Sequence, residues 1–547
     1  MATFTRANAW NHGGTFDNPD LLWYAKGVGE MQKRAISDPA SWWFFAAIHG
    51  QYLQNATVPM YLANGWGAIP APPTVPGLNN FQPPSSTQYW DQCQHQSWFF
   101  APWHRGYLLA LEATVRADVI RLGGPKTWAL PYWDYFGAED KPKPGEKQFP
   151  QYDIPPAFTQ QTMPDGKTPN PLFVAARYGP DGSGKNIYVP TVAGNKAHGT
   201  KFSPITTKCL TDKTYKGDQT TPEFGGPDTS SLGCFWHGGG ASGHLESNPH
   251  NLVHVFVGGP NTEGLMGDPG LAALDAIFYL HHANIDRMWA AWNTLWKNAN
   301  PTDANWVNGP AACGDAVFVM PMPGQGSWVY TPGQVSNLSD LDYDYESYAS
   351  VSPPAKPRSA LTERLAKLGP PADKHAKAGA AMSTDHAELV GASQTVIPVT
   401  GTAVRTSVKL NPTVRSKVSA SLLAASETAP PDRVFLTLEN VRGAQNAPVL
   451  SVYINLPEGA NPPDHPELLA GSVGLFGLRS ASALTGSHGG QGLSFTLEIT
   501  DIVDTLHLGG TLDADTLHVT LVSPTPIPVN APITVGRISI VRKAQTA

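Results

Sequence analysis

The strongest constraint on the fold of this chain is a pair of histidine clusters in its first three hundred residues. Neutral imidazole is a common metal ligand, and three imidazoles hold one ion while leaving a coordination position open. The sequence therefore predicts two metal sites built from distant segments. Their candidate ligands are, in chain order, His49, His95 and His104, and then His250, His254 and His282.

The spacing within each cluster indicates how the ligands are carried. His250 and His254 are four residues apart, which places them on one face of a helix,. A zinc peptidase requires Glu directly after the first of such a pair, but Asn251 stands there, so we exclude that activity. His95 and His104 are too far apart for one face, which indicates a loop ligand followed by a ligand in the first turn of a helix.

Apolar periodicity predicts helices over residues 19–33, 39–53, 102–122, 248–257 and 271–296,. The last four would surround the two metals. Asn18 and Asn248 are each followed by Pro, so we expect both to cap helices,. Charged residues fall within the apolar arc of the 102–122 helix, which indicates burial on most sides with the charges paired. They are Arg105, Glu112 and Arg116.

The chemistry of the ligands narrows the choice of metal. All-imidazole ligation suits copper or zinc, and two adjacent three-histidine sites favour copper, which cycles between two oxidation states. We expect His281 to be a buried core residue, because its neighbour His282 occupies the ligand position.

At 547 residues the chain is too long for one ordinary core,. We predict an α+β multidomain protein with three parts. Residues 1–350 form a mainly helical domain with a four-helix bundle around the metals, and residues 351–394 form a Pro/Ala/Lys-rich linker,. Residues 395–547 form a β-sandwich, with alternating strands at 434–438, 449–454, 493–499, 517–522 and 533–540,.

Composition excludes several classes of partner. The net charge is −7 with no long basic patch, which argues against nucleic acid and against an anionic membrane surface,. No apolar run is long enough for a membrane span. The first residues lack an apolar signal core, which predicts a cytoplasmic protein, with partner-assisted export and homo-oligomerisation left open. The four cysteines are too few for a disulfide scaffold. Only in an oxidising compartment would we expect Cys209 to pair with Cys234.

The clusters and their flanking motifs resemble those of the tyrosinases, binuclear copper proteins that include catechol oxidases and molluscan hemocyanins. The motifs are His49-Gly50, Cys93-x-His95, Trp103-His104-Arg105, His250-Asn251-x-x-His254, Gly258-Gly259, Met266-Gly267 and the run from Phe278 to Trp289. The resemblance assigns His49, His95 and His104 to copper A and His250, His254 and His282 to copper B. The chain departs from the family pattern at Ala276, where the family usually has Pro. We expect this change to alter the start of the helix slightly and to leave the ligands intact.

The resemblance implies oxidation of phenols by dioxygen with two copper ions: monophenols to o-diphenols, and these to o-quinones. It implies a thioether between Cys93 and His95. It also implies that Glu246 and Asn251 orient a water that deprotonates a monophenol; the alternative is that Glu246 is only a charge at a helix start,.

Further residues receive roles from the same resemblance. Val255 would leave the mouth of the site open to phenolic rings, and Phe278 would pack near copper B or simply in the core. Arg6 with Tyr343 and Tyr345 would close the domain as structural residues. The C-terminal domain resembles the cap of latent tyrosinases, which inserts a blocking residue. Its candidate is Phe476, with Leu475 and Leu478 as rivals.

Three alternatives remain open at this point. A catechol oxidase or o-aminophenol oxidase would oxidise diphenols without hydroxylating monophenols. A hemocyanin-like protein would bind oxygen without turnover, although a single site in one chain argues against a carrier. A structural zinc protein would use the same histidines without redox chemistry.

Overall fold

The computed structural model describes residues 3–50, 74–77, 89, 92–137, 149–230, 240–260, 262, 264–310, 317–324, 326–354, 387–425, 431–444, 448–484, 490–509, 512 and 515–544. The chain forms two compact units. The first combines Met1–Ser352 with two later segments, Arg442–Leu450 and Ser472–Leu493, and the second contains Pro353–Val441, Ser451–Gly471 and Ser494–Ala547. Two stretches of the predicted C-terminal domain therefore belong to the first unit.

The first 352 residues are mainly helical, as predicted. Their helices are α1 (Pro19–Gln32), α2 (Trp42–Gly50), α3 (Phe100–Arg121), α4 (Val192–His198), α5 (Leu252–Gly258), α6 (Ala276–Thr294), α7 (Ala304–Val307) and α8 (Pro332–Val335). Short strands accompany them: β1 (Phe4–Arg6), β2 (Lys216–Gly217), β3 (Gly226–Pro227), β4 (Phe318–Met322), β5 (Gly326–Tyr330) and β6 (Tyr343–Tyr345). Strand β1 pairs with β6 in parallel, which joins the two ends of this region.

The helix-start prediction is right at α1, and at α5 it is right in position but not in the cap. Asn18 caps α1 by accepting a hydrogen bond from the backbone N–H of Asp20 at 2.9 Å. Asn248 has a non-helical backbone, with φ −148° and ψ 112°, at a kink within the π-helical segment Glu246–Asn251; the chain is helical again from Pro249 into α5, and the Asn248–Pro249 peptide bond is cis. The Asn248 side chain instead accepts from the N–H of Thr206 at 3.3 Å. A long-range partner thus replaces the local cap.

A buried charge network ties α3 and α6 to the N-terminus. The guanidinium of Arg6 donates to Glu112 at 2.8 Å and to Asp286 at 3.2 Å. Arg105 pairs with the same Asp286, and Arg116 pairs with Glu112. The hydroxyls of Tyr343 and Tyr345 also donate to Asp286. The expected pairing of charges on α3 is confirmed. Arg6 on β1 also donates to the hydroxyl of Tyr345 on β6 at 2.9 Å, so the network joins these two strands to the two helices that carry candidate ligands.

The second part of the chain is mainly β, which confirms that prediction. Its strands are β7 (Glu388–Ala392), β8 (Ile397–Val399), β9 (Gly401–Leu410), β10 (Arg433–Arg442), β11 (Val449–Ile454), β12 (Leu469–Gly474), β13 (Leu493–Glu498), β14 (Thr516–Ile527) and β15 (Ile533–Lys543). Helices α9 (Pro412–Ala424), α10 (Leu478–Ser482) and α11 (Thr500–Leu508) lie between them.

Among the described residues these strands form one sheet in the order β12-β11-β14-β9-β7-β15-β10-β13, with β8 also paired to β15. Strand β14 is antiparallel to both β9 and β11. Strand β7 lies within the predicted 351–394 linker, so the strands begin before residue 395. Most of that linker lies outside the described residues, as does Cys234. Within the described ranges, no helix combines the length and apolar character needed to cross a membrane.

Candidate metal centre

The three histidines of the first cluster come together although they lie on separate elements. His49 ends α2, His104 lies in the first turns of α3, and His95 precedes α3 in a loop. One ring nitrogen of each lies within 4.8 Å of the others and of the sulfur of Cys93. The helix end at His49 requires Gly50, because a Cβ at Gly50 would stand 2.4 Å from the Cα of Gly270.

The second cluster converges more closely. The Nε2 of His282 on α6 lies 3.3 Å from the Nε2 of His250 and 3.3 Å from that of His254. His254 lies on α5, and His250 lies in the π-helical segment before it. Three imidazole nitrogens therefore point at one another in a buried place, an arrangement that a shared metal ion accounts for.

Backbone carbonyls set the tautomers of three of these rings. The Nδ1 of His49 lies 2.8 Å from the carbonyl of Pro269, and that of His104 lies 2.8 Å from the carbonyl of Phe100. The Nδ1 of His254 lies 2.9 Å from the carbonyl of Met266. A carbonyl only accepts, so each Nδ1 carries the proton. Each Nε2 then carries the ring's lone pair, as in metal-binding histidines.

Electrostatics keep the rings neutral. Burial and neighbouring imidazoles lower the pKa of His104, His250, His254 and His282 well below the ordinary value. Metal binding needs the neutral ring, so proton loss adds no penalty near neutral pH. Two neutral three-imidazole groups fit a dicopper site by the chemistry of their donors.

Aromatic rings close the site and join its two halves. The ring centroid of Phe100 is 4.6 Å from that of His104 and 4.7 Å from that of His250. Phe278 lies 4.7 Å from His49 and 4.1 Å from His282. The rings of His104 and His282 stack across the two groups at 4.5 Å.

His281 is buried, as expected of a core residue, and one of its ring nitrogens also lies within 4.8 Å of the second group. Its Nδ1 is 3.3 Å from the hydroxyl of Tyr135. Burial lowers its pKa to about 3. The position of the His282 Nε2, between two other Nε2 atoms, favours His282 as the third ligand.

The two residues assigned to proton handling have different partners. Glu246 is buried, and both of its carboxylate oxygens accept from the backbone N–H of Gln96, at 2.9 and 3.0 Å. Burial raises the pKa of Glu246 to about 8. The Oδ1 of Asn251 lies 2.9 Å from the Nδ1 of His250. The sulfur of Cys93 is 3.5 Å from the Nδ1 of His95 and 3.9 Å from the Nε2 of His104.

The candidate blocking residue lies at this centre. The Phe476 ring stacks on that of His254, with centroids 4.3 Å apart and planes inclined by 22°. It also lies 6.0 Å from the His250 ring and 6.2 Å from that of His95. Its segment belongs to the first unit. The rivals Leu475 and Leu478 are buried nearby, and Val255, next to His254, is fully buried.

Sequence reasoning missed several groups of this centre. The carbonyls of Phe100, Pro269 and Met266 could not be predicted, because every residue has a backbone carbonyl and its side chain does not indicate which ring it contacts. Phe100 itself had a signal, since it stands one helical turn before His104 on the same face,. The link between Glu246 and Gln96 joins residues 150 positions apart, so no local pattern reveals it.

Comparisons with known proteins agree with this geometry. Residues 39–295 match the family described as the common central domain of tyrosinase, and residues 386–543 match a domain of unknown function. Tyrosinase HcTyr1 of Hahella sp. (strain CCB-MM4) is 29% identical over 522 residues, covering 95% of this chain and 96% of that protein. The latent chloroplastic polyphenol oxidase of Prunus armeniaca is 31% identical over 39% of this chain and 32% of its own length.

Solved structures show the same fold. A latent aurone synthase covers 99% of this chain and 90% of its own, with a TM-score of 0.59 and 20% identity. Latent apple tyrosinase covers 100% of this chain and 98% of its own, with a TM-score of 0.57 and 20% identity. The two histidine groups fit a dicopper site like that of the tyrosinase and polyphenol oxidase family. Residues 39–295 are a domain of the tyrosinase family, and the chain carries a further C-terminal domain.

Proposed function

We propose that this protein oxidises phenols with dioxygen, hydroxylating monophenols to o-diphenols and oxidising o-diphenols to o-quinones. Bound to the two histidine groups, copper supplies the redox change and the activation of oxygen. The observation that carries the proposal is that the Nε2 of His282 lies 3.3 Å from the Nε2 atoms of both His250 and His254, beside the first histidine group.

The walls of the site suit an aromatic substrate. Phe278 packs against His49 and His282, so an incoming phenol ring would meet an aromatic edge there,. A phenol has a pKa of about 10, and a base with a pKa nearer to neutrality removes its proton efficiently. Glu246, whose pKa burial raises to about 8, matches that requirement better than an ordinary carboxylate. Asn251 would hold His250 in one orientation through its Nδ1.

We propose further that Cys93 and His95 become joined by a thioether. Forming the carbon–sulfur bond removes the thiol hydrogen and one ring hydrogen, and dioxygen takes up both electrons and protons. The 3.5 Å separation between the sulfur and the His95 ring supports this step. Intact-mass measurement of copper-loaded protein should show a loss of about two mass units, and a Cys93→Ser variant should not.

The full chain is proposed to be latent. Phe476 covers His254 with its ring, in the space a phenol would need to approach the second histidine group. Opening this contact, or cleaving residues 351–392, would expose the site. The protein is also proposed to reside in the cytoplasm.

A catechol oxidase is the second candidate, and one observation favours it. Both oxygens of Glu246 and the Oδ1 of Asn251 already accept hydrogen bonds from protein groups. If these contacts persist with substrate bound, monophenols lack a base and only diphenols react.

Oxygen uptake by copper-loaded protein, with tyramine and with catechol, before and after limited proteolysis, tests the proposal. A tyrosinase consumes both substrates, and a latent one does so faster after cleavage. Consumption of catechol alone makes the protein a catechol oxidase. Absence of turnover on both substrates, with reversible oxygen binding, contradicts the enzymatic proposal and supports a carrier.

A further inference from the structure

The residue after the loop ligand His95 has an unusual backbone conformation. Gln96 has a φ of 55°, in the left-handed region, and it is buried. For a residue with a side chain this conformation costs of order 1–3 kcal/mol and persists only where the surroundings enforce it. The conformation of Gln96 fixes the direction in which the chain leaves His95.

The group that holds Gln96 comes from the other half of the site. The backbone N–H of Gln96 donates to both carboxylate oxygens of Glu246, at 2.9 and 3.0 Å. Glu246 is 2% exposed and lies four residues before His250, on the other side of the kink at Asn248. A backbone N–H left without an acceptor inside a protein is costly, so this contact strongly constrains Gln96. Through it, the loop with His95 is attached to the element that carries His250.

Further hydrogen bonds shape the loop and attach it to other parts of the chain: the Oε1 of Gln92 accepts from the backbone N–H of Val319 at 3.0 Å. The side-chain N–H of Gln94 donates to the carbonyl of Gln92 at 3.0 Å, and the hydroxyl of Ser97 donates to the Oε1 of Gln94 at 3.3 Å. These shape the turn but do not attach it to the second histidine group. The contact with Glu246 does, over a separation of 150 residues.

We propose that Glu246 is a positioning residue that couples the two metal half-sites: its carboxylate holds Gln96 in the left-handed conformation and thereby places His95 at copper A. This role rests on the proposed copper site, but it is separate from proton transfer and does not require turnover. It predicts that loss of the carboxylate weakens copper A although Glu246 precedes the ligands of copper B.

Copper binding by the full-length protein tests the role without an activity assay. Metal-free wild type and variants are loaded with copper, passed through a desalting column and analysed for copper per chain. We expect two in the wild type and one in Glu246→Leu, which has a similar volume but no acceptor. Glu246→Gln keeps an oxygen that can accept from Gln96 and should retain two. Ser247→Ala, next in the same segment, is the matched control and should also retain two.

Two further variants identify the mechanism. His95→Ala removes the copper A ligand itself, so the copper EPR spectrum of Glu246→Leu should match that of His95→Ala. Gln96→Gly, added to Glu246→Leu, should restore much of the second copper, because glycine adopts the left-handed conformation without the penalty of a side chain. Two coppers in Glu246→Leu, or no rescue by glycine, would overturn the proposal.

If Glu246→Leu does not fold, Glu246→Asp replaces it. The shorter side chain keeps the carboxyl group but reaches Gln96 less well, so the second copper should bind at least about tenfold more weakly. Wild-type affinity in Glu246→Asp would overturn the role. A wild-type protein that binds two coppers yet oxidises no phenol would contradict the proposed function and leave this inference standing. A wild type that binds none would contradict both.

Discussion

The ring of Phe476 stacks on the ring of His254, with centroids 4.3 Å apart. A blocking residue in that position competes with substrate for the same face of the second histidine group. Phe476→Ala should therefore raise the rate of diphenol oxidation by the uncleaved chain by about tenfold, because a plug worth about 1.4 kcal/mol reduces the competent fraction by that factor. Leu475→Ala, which removes a buried neighbour without a ring contact to His254, is the control. Equal activation in both variants would indicate general loosening.

Asn251 should matter for metal affinity as well as for phenols. Its Oδ1 lies 2.9 Å from the Nδ1 of His250. Removing such a partner of a ligating histidine typically weakens metal binding 10–100-fold. We expect Asn251→Ala to lose copper B at that scale in a competition titration with a chelator. Asn251→Asp keeps an acceptor and should stay close to the wild type. Unchanged affinity in Asn251→Ala would show that the contact does not orient the ring.

Glu246 should make the stability of the copper-free protein depend on pH. Burial raises its pKa from 4.5 to about 8 in the folded state. Between these values the folded chain holds a proton that the unfolded chain releases, so the free energy of unfolding falls as pH rises. Urea denaturation at several pH values should show that the free energy of unfolding of the wild type falls by a few kcal/mol relative to that of Glu246→Gln across this window. Parallel curves for the two proteins would contradict the raised pKa.

The pair between Arg105 and Asp286 should be a main source of stability at the centre. Arg105 follows His104 on α3, and Asp286 lies one turn after His282 on α6. Asp286→Asn leaves the buried guanidinium of Arg105 without its carboxylate partner, which typically lowers the free energy of unfolding by about 3–5 kcal/mol. Lys33→Ala, which breaks an exposed pair with Glu30, should change it by about 0.5 kcal/mol or less,. Similar losses in both variants would contradict this assignment.

Much of the fold could be predicted because its signals are local. The apolar periods of α1, α3 and α6 and the alternation in β10, β11 and β14 are properties of short windows,. The predicted side-chain cap failed at Asn248, whose side chain accepts a hydrogen bond from the N–H of Thr206 instead. Local propensity is weak compared with such tertiary contacts.

The sequence by itself determined which residues are available for chemistry: six histidines at spacings that suit helices and a loop, with Cys93 beside one of them. It also determined the division into a helical and a β part. Side-chain identity and short-range spacing carry that information.

Only the tertiary structure decided how these residues are oriented. Of the three candidate blocking residues, it placed Phe476 with its ring stacked on His254. It also set the imidazole tautomers through the carbonyls of Pro269, Phe100 and Met266. It also placed Glu246 against the backbone of Gln96. These contacts join backbone groups and distant segments, whose meeting depends on the packing of the whole first unit and has no signature in a local stretch of sequence.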